Sequence, residues 1–513
     1  MTAQDLPMTA FDPAGPLPTS TVVLQASAGT GKTHAIAALA TRYLAEGHLA
    51  VEHLAVISFS RVASEELRSR VRKRLRDTAE LLDAALAGDA APAEPDATDS
   101  LLLSGDTGQL KARRDRLRAA LSGLDSAVIM TIHQFCQAMF DELGVLAAED
   151  PQAKLVEDLG QLLEQVVTDR YLDRYATATD RPFDLAAARR LGIAAAIELP
   201  ETPLVPALAS GLPAERLAFA EEVRTELARR KQRLGLFSYD DQLSRLRDSL
   251  KGPAGQAGAE RLRRRCQVVL VDEFQDTDPV QWEILRDTFA GQVPLVLIGD
   301  PKQAIYAFRG ADVTAYSQAV AASRDRYSLA VNHRADEPVV AAIGALFAGV
   351  PLGRDVLVEP VVASHRGSRL TGNAPPPVRL RCVATDRLLD AATARAKVDA
   401  DVVAEVVRLL DGGTELIEGT GTRRLAEQDI AVLVNTNKRG RDLAEALAAA
   451  GVAVAFSGSD SILASPAAQD WFTLLRAREQ PRRAAVREAI LTDFVGADLT
   501  ALATADDDRL TGW

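Results

Sequence analysis

Residues 21–33 read Thr-Val-Val-Leu-Gln-Ala-Ser-Ala-Gly-Thr-Gly-Lys-Thr. The apolar run Thr21–Leu24 predicts a buried strand. The stretch Thr33–Glu46, with Ile36, Leu39, Ala40 and Tyr43 on one face, predicts a helix. Between them lies the spacing of a phosphate-binding loop, or P-loop, with Ala26 where the first glycine usually stands. Small residues let backbone N–H groups curl round phosphate oxygens at the positive end of the following helix. Ala26, Ser27, Ala28, Gly29, Thr30 and Gly31 are therefore the expected cradle. Lys32 suits the β- and γ-phosphates, and the Thr33 hydroxyl suits Mg²⁺. Alone, the loop specifies a nucleoside triphosphate and leaves the reaction open.

Working outward, residues 268–278 read Val-Val-Leu-Val-Asp-Glu-Phe-Gln-Asp-Thr-Asp. Four apolar residues ending in two acids put Asp272 and Glu273 at the C-terminal edge of a parallel sheet, where open α/β sheets bind ligands. Asp272 suits the shell of Mg²⁺, and Glu273 suits orienting and deprotonating water for attack on a γ-phosphate. Together with the loop, the pair makes ATP hydrolysis the leading reaction. A third apolar run, Leu295–Ile298, leads to a polar turn from which Gln303 can reach the γ-phosphate. Tyr306, Phe308 and Arg309 follow closely. Aromatic faces with a guanidinium suit stacking on unpaired bases, at ~1–3 kcal/mol per base. The same aromatics also suit a core, and spacing leaves both open.

The rest of the 513 residues frame this site. With 47% hydrophobic and 25% charged residues, the composition is that of a globular chain of several domains. No run approaches the ~18 apolar residues of a membrane span, so no membrane partner is expected. No basic residue precedes Lys32, which argues against a secretory signal and for a cytoplasmic location. The net charge of −12 disfavours a general electrostatic nucleic-acid binder, though a local basic groove is compatible with it. Cys136, Cys266 and Cys382 are far apart and read as buried free thiols. Leu54–Phe59 reads as a strand, Ser64 to about Leu86 as a charged helix, 109–122 as a helix and Ala127–Thr131 as a strand end. Residues 87–108, rich in Ala, Asp, Pro and Gly, read as an exposed loop of low order. Residues from about 140 to 265 read as helical. The Pro-rich stretch 373–378 reads as a surface loop. Ile430–Val434, a helix at 438–450 and Val452–Phe456 read as a second strand–helix alternation. Strands alternating with helices argue for an α/β doubly wound core.

Seven segments carry a resemblance: ASAGTGKT (26–33), SFSRVASEELRSR (58–70), TIHQFC (131–136), FSYDDQL (237–243), VDEFQDTDPVQWEIL (271–285), GDPKQAIYAFRGAD (299–312) and NHRAD (332–336). In this order they resemble the motifs of superfamily 1A DNA helicases of the UvrD/Rep type, and in particular RecB-like helicase–nucleases of the exodeoxyribonuclease V beta type. The fold implied is a P-loop NTPase (RecA-like) motor domain with helical insertions, followed by part of a second RecA-like domain. The implied layout is domain 1A at 1–139 and 261–325 with an insertion at 76–125, helical domain 1B at 140–260, the first part of 2A at 326–470, and the start of 2B at 471–513. The implied cofactors are ATP and Mg²⁺, with catalytic Lys32, Asp272, Glu273, Gln303 and Arg334. Thr33 and Asp272 would hold the metal, and His333 stands where relatives stack an aromatic on adenine. Ser60, Arg61, Thr131 and His133 fall where relatives touch the DNA backbone, and Tyr306, Phe308 and Arg309 where they touch unpaired bases.

The resemblance also implies 3′-to-5′ movement on single-stranded DNA, entry at duplex ends, RecC- and RecD-like partners, and work in double-strand break repair and recombination. The extra residues at 76–125 favour a RecB or AddA type over the compact UvrD/PcrA type; an ATP- and DNA-binding remnant without motor activity is the reading from another class. Upstream of the P-loop there is no glutamine of the kind that reads adenine. Residues 340–513 carry no Ser-Lys-Gly-Leu-Glu motif V, no Tyr-Val-Ala-x-Thr-Arg motif VI and no nuclease module. In relatives, motif VI supplies an arginine finger, which can contribute ~10³–10⁵ in rate. An incomplete motor is therefore the expectation.

Overall fold

The computed structural model describes residues 8–89, 95–144, 154–156, 159–178, 181–197, 204–205, 210–305, 313–352, 356, 358–457, 462–480 and 482–496. Two compact units divide at Ser368/Arg369. In the first, the chain runs β1 (Met8–Ala10), β2 (Thr21–Ala26), α1 (Lys32–Ala45), β3 (Leu54–Ser58), α2 (Arg61–Ala87), α3 (Ala97–Leu103), α4 (Thr107–Ser122), β4 (Val128–Thr131) and α5 (Ile132–Leu143). It continues through β5 (Lys154–Leu155), α6 (Gly160–Tyr175), α7 (Leu185–Ile197), α8 (Leu212–Leu234), β6 (Leu236–Phe237), α9 (Tyr239–Lys251) and α10 (Gly255–Arg265). Then come β7 (Val268–Val271), α11 (Pro279–Phe289), β8 (Leu295–Gly299), α12 (Val313–Ala322), β9 (Asp325–Leu329), β10 (Val331–Asp336), α13 (Glu337–Phe347) and β11 (Val362–His365).

Seven strands form one parallel sheet in the order β1-β9-β2-β8-β7-β3-β4. Its central strands are continuous apolar runs because helices cover both faces. The pleat sends alternate residues to opposite sides. Val22, Leu24, Leu54, Val56, Val268, Leu270, Val296 and Ile298 face one core, shared with α1, α2 and α4. Val23, Ala55, Ile57, Val269, Val271, Leu295 and Leu297 face the other, shared with α5 and α9–α12. A one-residue slip of any central strand would exchange these sets, so the two cores fix register. A separate cluster, with Val166, Tyr171, Phe183, Phe219 and Val223, holds α6–α8 together.

Two expectations change. Within 87–108 the chain forms α3, capped by Asp96 and burying Thr98 and Leu102; compositional bias hid an ordinary helix start. Strand β9 pairs with both β1 and β2 in the main sheet, and the expected 1A/2A boundary at 325/326 falls at its first residue. Cys136 and Cys266 are buried, but Cys382 is exposed.

The second unit contains β12 (Leu370–Gly372), α14 (Ala391–Asp411), β13 (Thr414–Glu418), β14 (Gly421–Arg424), α15 (Asn437–Ala449), α16 (Pro466–Glu479) and α17 (Arg483–Ile490). Its sheet is antiparallel, β12-β13-β14. Of the alternation expected from Ile430 onward, the helix is present as α15. The runs Ile430–Val434 and Val452–Phe456 are not strands; they find no ladder partner among the described residues, and Leu433 is 94% exposed. The Pro-rich 373–378 is irregular, as expected, and lies just after the division between units.

Candidate nucleotide and nucleic-acid site

All parallel strands of the main sheet deliver their next residues to one edge. The turn after β2 is the P-loop, the turn after β8 carries Gln303, and the turn after β7 carries Asp272 and Glu273. These three strands are adjacent, so segments about 240 and 270 residues apart in sequence meet in space.

The P-loop needs its N–H groups turned inward, which requires its carbonyls to find other donors. The structure meets that requirement at three successive residues. The Ser27 carbonyl accepts from the Thr30 N–H and from its hydroxyl, at 3.2 and 2.8 Å. The Ala28 carbonyl accepts from Asn332 Nδ2 at 2.9 Å, and the Gly29 carbonyl from the His333 N–H at 2.8 Å. Asn332 Oδ1 in turn accepts from the backbone N–H of Arg334 and Ala335. Gly29 (φ 78°) and Gly31 (φ 89°) take left-handed conformations, and a Cβ at Gly29 would lie 2.7 Å from Arg334 Cβ. Gly31 caps α1, and Lys32 and Thr33 open that helix.

Lys32 Nζ meets Glu273 Oε2 at 2.5 Å. Glu273 (φ 50°) is the one described non-glycine residue in the left-handed region, a strain characteristic of functional turns. Its backbone N–H donates to Asp272 Oδ1, and Gln275 Nε2 donates to its carboxylate at 2.8 Å. Burial and the neighbouring Glu273 push Asp272 up to about 6; Asp276 is also raised to about 6, by burial and then Glu273. Asp276 Oδ1 is buried with no hydrogen-bond partner. Excess negative charge and an orphaned carboxylate oxygen are features that a hard divalent cation would offset.

At the third turn, Asp300 is fully buried. Gln303 Nε2 donates to its Oδ2 at 2.6 Å, so the expected phosphate sensor is held at the base of the turn. His333 and Arg334 lie within β10 beside the P-loop, and a Cβ at Gly31 would come within 4.0 Å of His333 Cδ2.

On the other half of the edge, β3 and β4 pair with Ser58 opposite Thr131. Helices α2 and α5 start immediately beyond these strands, and their N-terminal N–H groups face the edge. Ser60 Oγ caps α2 by accepting from Ala63 N–H, and Thr131 forms a capping box with Gln134 in α5. These two hydroxyls thus shape helix N-termini, which favour anions such as backbone phosphates. Arg61 is exposed in the first turn of α2. Burial holds His133 below the ordinary imidazole value, against the opposing pull of Asp240. Tyr306, Phe308 and Arg309 lie outside the described residues.

Sequence reasoning missed Asn332, Gln275, Asp276 and Lys302 as site residues. Each stands inside a segment already singled out, and each acts through a contact that spacing alone does not reveal.

A parallel α/β sheet whose adjacent strands end in a P-loop, an acid pair and the Gln303 turn has the architecture of a P-loop nucleotide-binding protein. The UvrD/REP helicase N-terminal domain matches residues 11–322, and the chain belongs to that family. It is a homologue of the RecBCD enzyme subunit RecB: it is 40% identical to that of Mycolicibacterium smegmatis over 98% of this chain and 46% of the relative. The Mycobacterium tuberculosis subunit is 39% identical over 98% of this chain and 47% of the relative. That of Escherichia coli is 27% identical over 95% and 52%. The chain thus spans about half the length of these curated relatives. Among the described residues no helix is long and apolar enough to cross a membrane, and no group of three or more His, Cys, Asp or Glu residues is arranged to hold a metal ion.

Proposed function

We propose that this chain is the ATP-binding half of a RecB-type DNA motor acting in the cytoplasm in double-strand break repair and recombination. The Lys32–Glu273 ion pair carries the reading: a cation and an acid meet at the P-loop, on the sheet edge that also presents the N-termini of α2 and α5. The incoming triphosphate replaces Glu273 as the anion beside Lys32. Glu273 is then released to orient and deprotonate a water molecule. Thr33 and Asp272 are the residues that would hold Mg²⁺, whose charge would balance the phosphate oxygens. Gln303 and Arg334 flank the γ-phosphate, and His333 stacks on the base. Ser60, Arg61, Thr131 and His133 line the DNA backbone, with Tyr306, Phe308 and Arg309 on unpaired bases.

In this reading residues 1–139 and 261–325 are domain 1A, 140–260 domain 1B, 326–470 the first part of 2A and 471–513 the start of 2B. The motor runs 3′ to 5′ on single-stranded DNA from duplex ends, beside RecC- and RecD-like subunits. The test is ATP hydrolysis with and without single-stranded DNA, beside nucleotide binding and a Lys32→Ala control. Binding that the substitution removes is expected, with slow turnover because residues 340–513 carry no motif VI arginine. Strong DNA-stimulated turnover would overturn the half-motor assignment, and absence of nucleotide binding would overturn the ATP site itself.

A further inference from the structure

The turn after β8 contains a second lysine aimed at the P-loop. Lys302 Nζ donates to Ser27 Oγ at 2.6 Å and to Asp300 Oδ1 at 2.8 Å. Its side chain is 20% exposed, while Asp300 is completely buried. A buried carboxylate requires close donors on its oxygens. Here Gln303 satisfies Oδ2 and Lys302 satisfies Oδ1, and the Asp300 N–H is held by Gln275 Oε1 at 2.9 Å. Asp300 is therefore fixed from three directions, and the lysine it anchors bridges the turn to the P-loop.

Ser27 is the pivot of that loop. Its carbonyl closes the turn on Thr30, and its hydroxyl is the atom that Lys302 grips. The opposite flank is held at Ala28 and Gly29 by Asn332 and His333. Without Lys302, Ser27 loses its restraint from the β8 side, while Lys32, Asp272 and Glu273 keep their own contacts.

We infer that Lys302 is a positioning residue for the phosphate cradle, acting through Ser27 with Asp300 as its anchor. It preorganises the inward N–H groups and links the sensor turn, where Gln303 shares the same carboxylate, to the P-loop. This rests on the ATP-site reading. Its consequence is specific: Lys302 tightens nucleotide binding through the loop and contributes no charge to the transferring phosphate.

The experiment measures the affinity of a fluorescent ADP analogue with Mg²⁺ for the full chain and for Lys302→Met, Lys302→Arg, Ser27→Ala and the Lys302→Met/Ser27→Ala double variant, with thermal unfolding followed for each. Lys302→Met and Ser27→Ala are each expected to weaken binding by ~10-fold, the magnitude of one lost charge-assisted hydrogen bond. The double variant is expected to be no weaker than the weaker single variant, because both remove one contact. Lys302→Arg is expected to recover most of the affinity. Ser27→Ala leaves the Lys302–Asp300 pair intact, so it reports on the loop even where Lys302→Met lowers stability. Unchanged affinity in Ser27→Ala, or additive losses in the double variant, would overturn the role of Lys302. A wild-type chain that does not bind the analogue at all would instead overturn the ATP site.

Discussion

Two groups of acids in the first unit have opposite electrostatic fates. In the helical region, Glu226 of α8 sits between Arg229 and Arg230, with bonds of 2.7–2.8 Å, and these guanidiniums hold it down to about 2. At the sheet edge, Asp272, Asp276 and Asp278 are all pushed up to about 6, chiefly by burial. Lys32 is the cation that opposes this for Asp272 and Asp276. Glu226 has the partners a structural carboxylate needs. The edge carries negative charge in excess of its cations, an imbalance of the kind that functional sites carry and that a bound divalent cation would offset. Matched charge marks scaffold; unmatched charge marks the site.

The largest effect should come from Lys32→Ala. It strands Glu273 beside Asp272 and Asp276, and nucleotide affinity should fall by ~100-fold or more in a fluorescence titration. Gly29→Ala should follow. A positive φ and a Cβ 2.7 Å from Arg334 force the loop to move, with a loss of about 1–3 kcal/mol in stability and a comparable loss in binding. Asn332→Ala removes the donor to Ala28 and the acceptor for two N–H groups, and should weaken nucleotide binding several-fold, by about 1–2 kcal/mol. Glu226→Gln probes the other side of the comparison. It should lower the unfolding temperature by only about 1 °C, for about 1 kcal/mol, and leave nucleotide affinity unchanged. Loss of affinity in that variant would erase the distinction between the two regions.

Proton uptake sharpens the same contrast. Asp278 is raised to about 6 from 3.8, so the folded chain binds its proton more tightly than the unfolded one. Its contribution to stability is fully present below pH 3.8 and is lost as pH rises through about 6. Glu226 is lowered from 4.5 to about 2, so its contribution is present above pH 4.5 and is lost as pH falls toward 2. Chemical unfolding across pH should therefore show Asp278→Asn changing the profile between pH 4 and 6, and Glu226→Gln changing it only below about pH 4.5.

The central fold was readable because β2, β3, β7 and β8 are unbroken apolar runs ended by polar turns, a pattern fixed by burial on both faces. Strand β9, Asp-Arg-Tyr-Ser-Leu, is half-buried and lacks that pattern. The Ile430 and Val452 runs have the pattern without the neighbours, and apolar residues alone do not make a ladder. At the site, Lys32, Asp272 and Glu273 announce themselves by residue type at the end of a strand. Lys302 and Asn332 do not. Their partners Ser27 and Ala28 lie 275 and 304 positions away, and only the strand order β9-β2-β8 brings them together.

The most direct test of this account is amide hydrogen exchange on the full chain with and without Mg²⁺ and ATP. It predicts new protection at 27–33, 272–276 and 300–303, with α6–α8 unchanged. Protection absent from those three turns, or appearing around Glu226 instead, would contradict it.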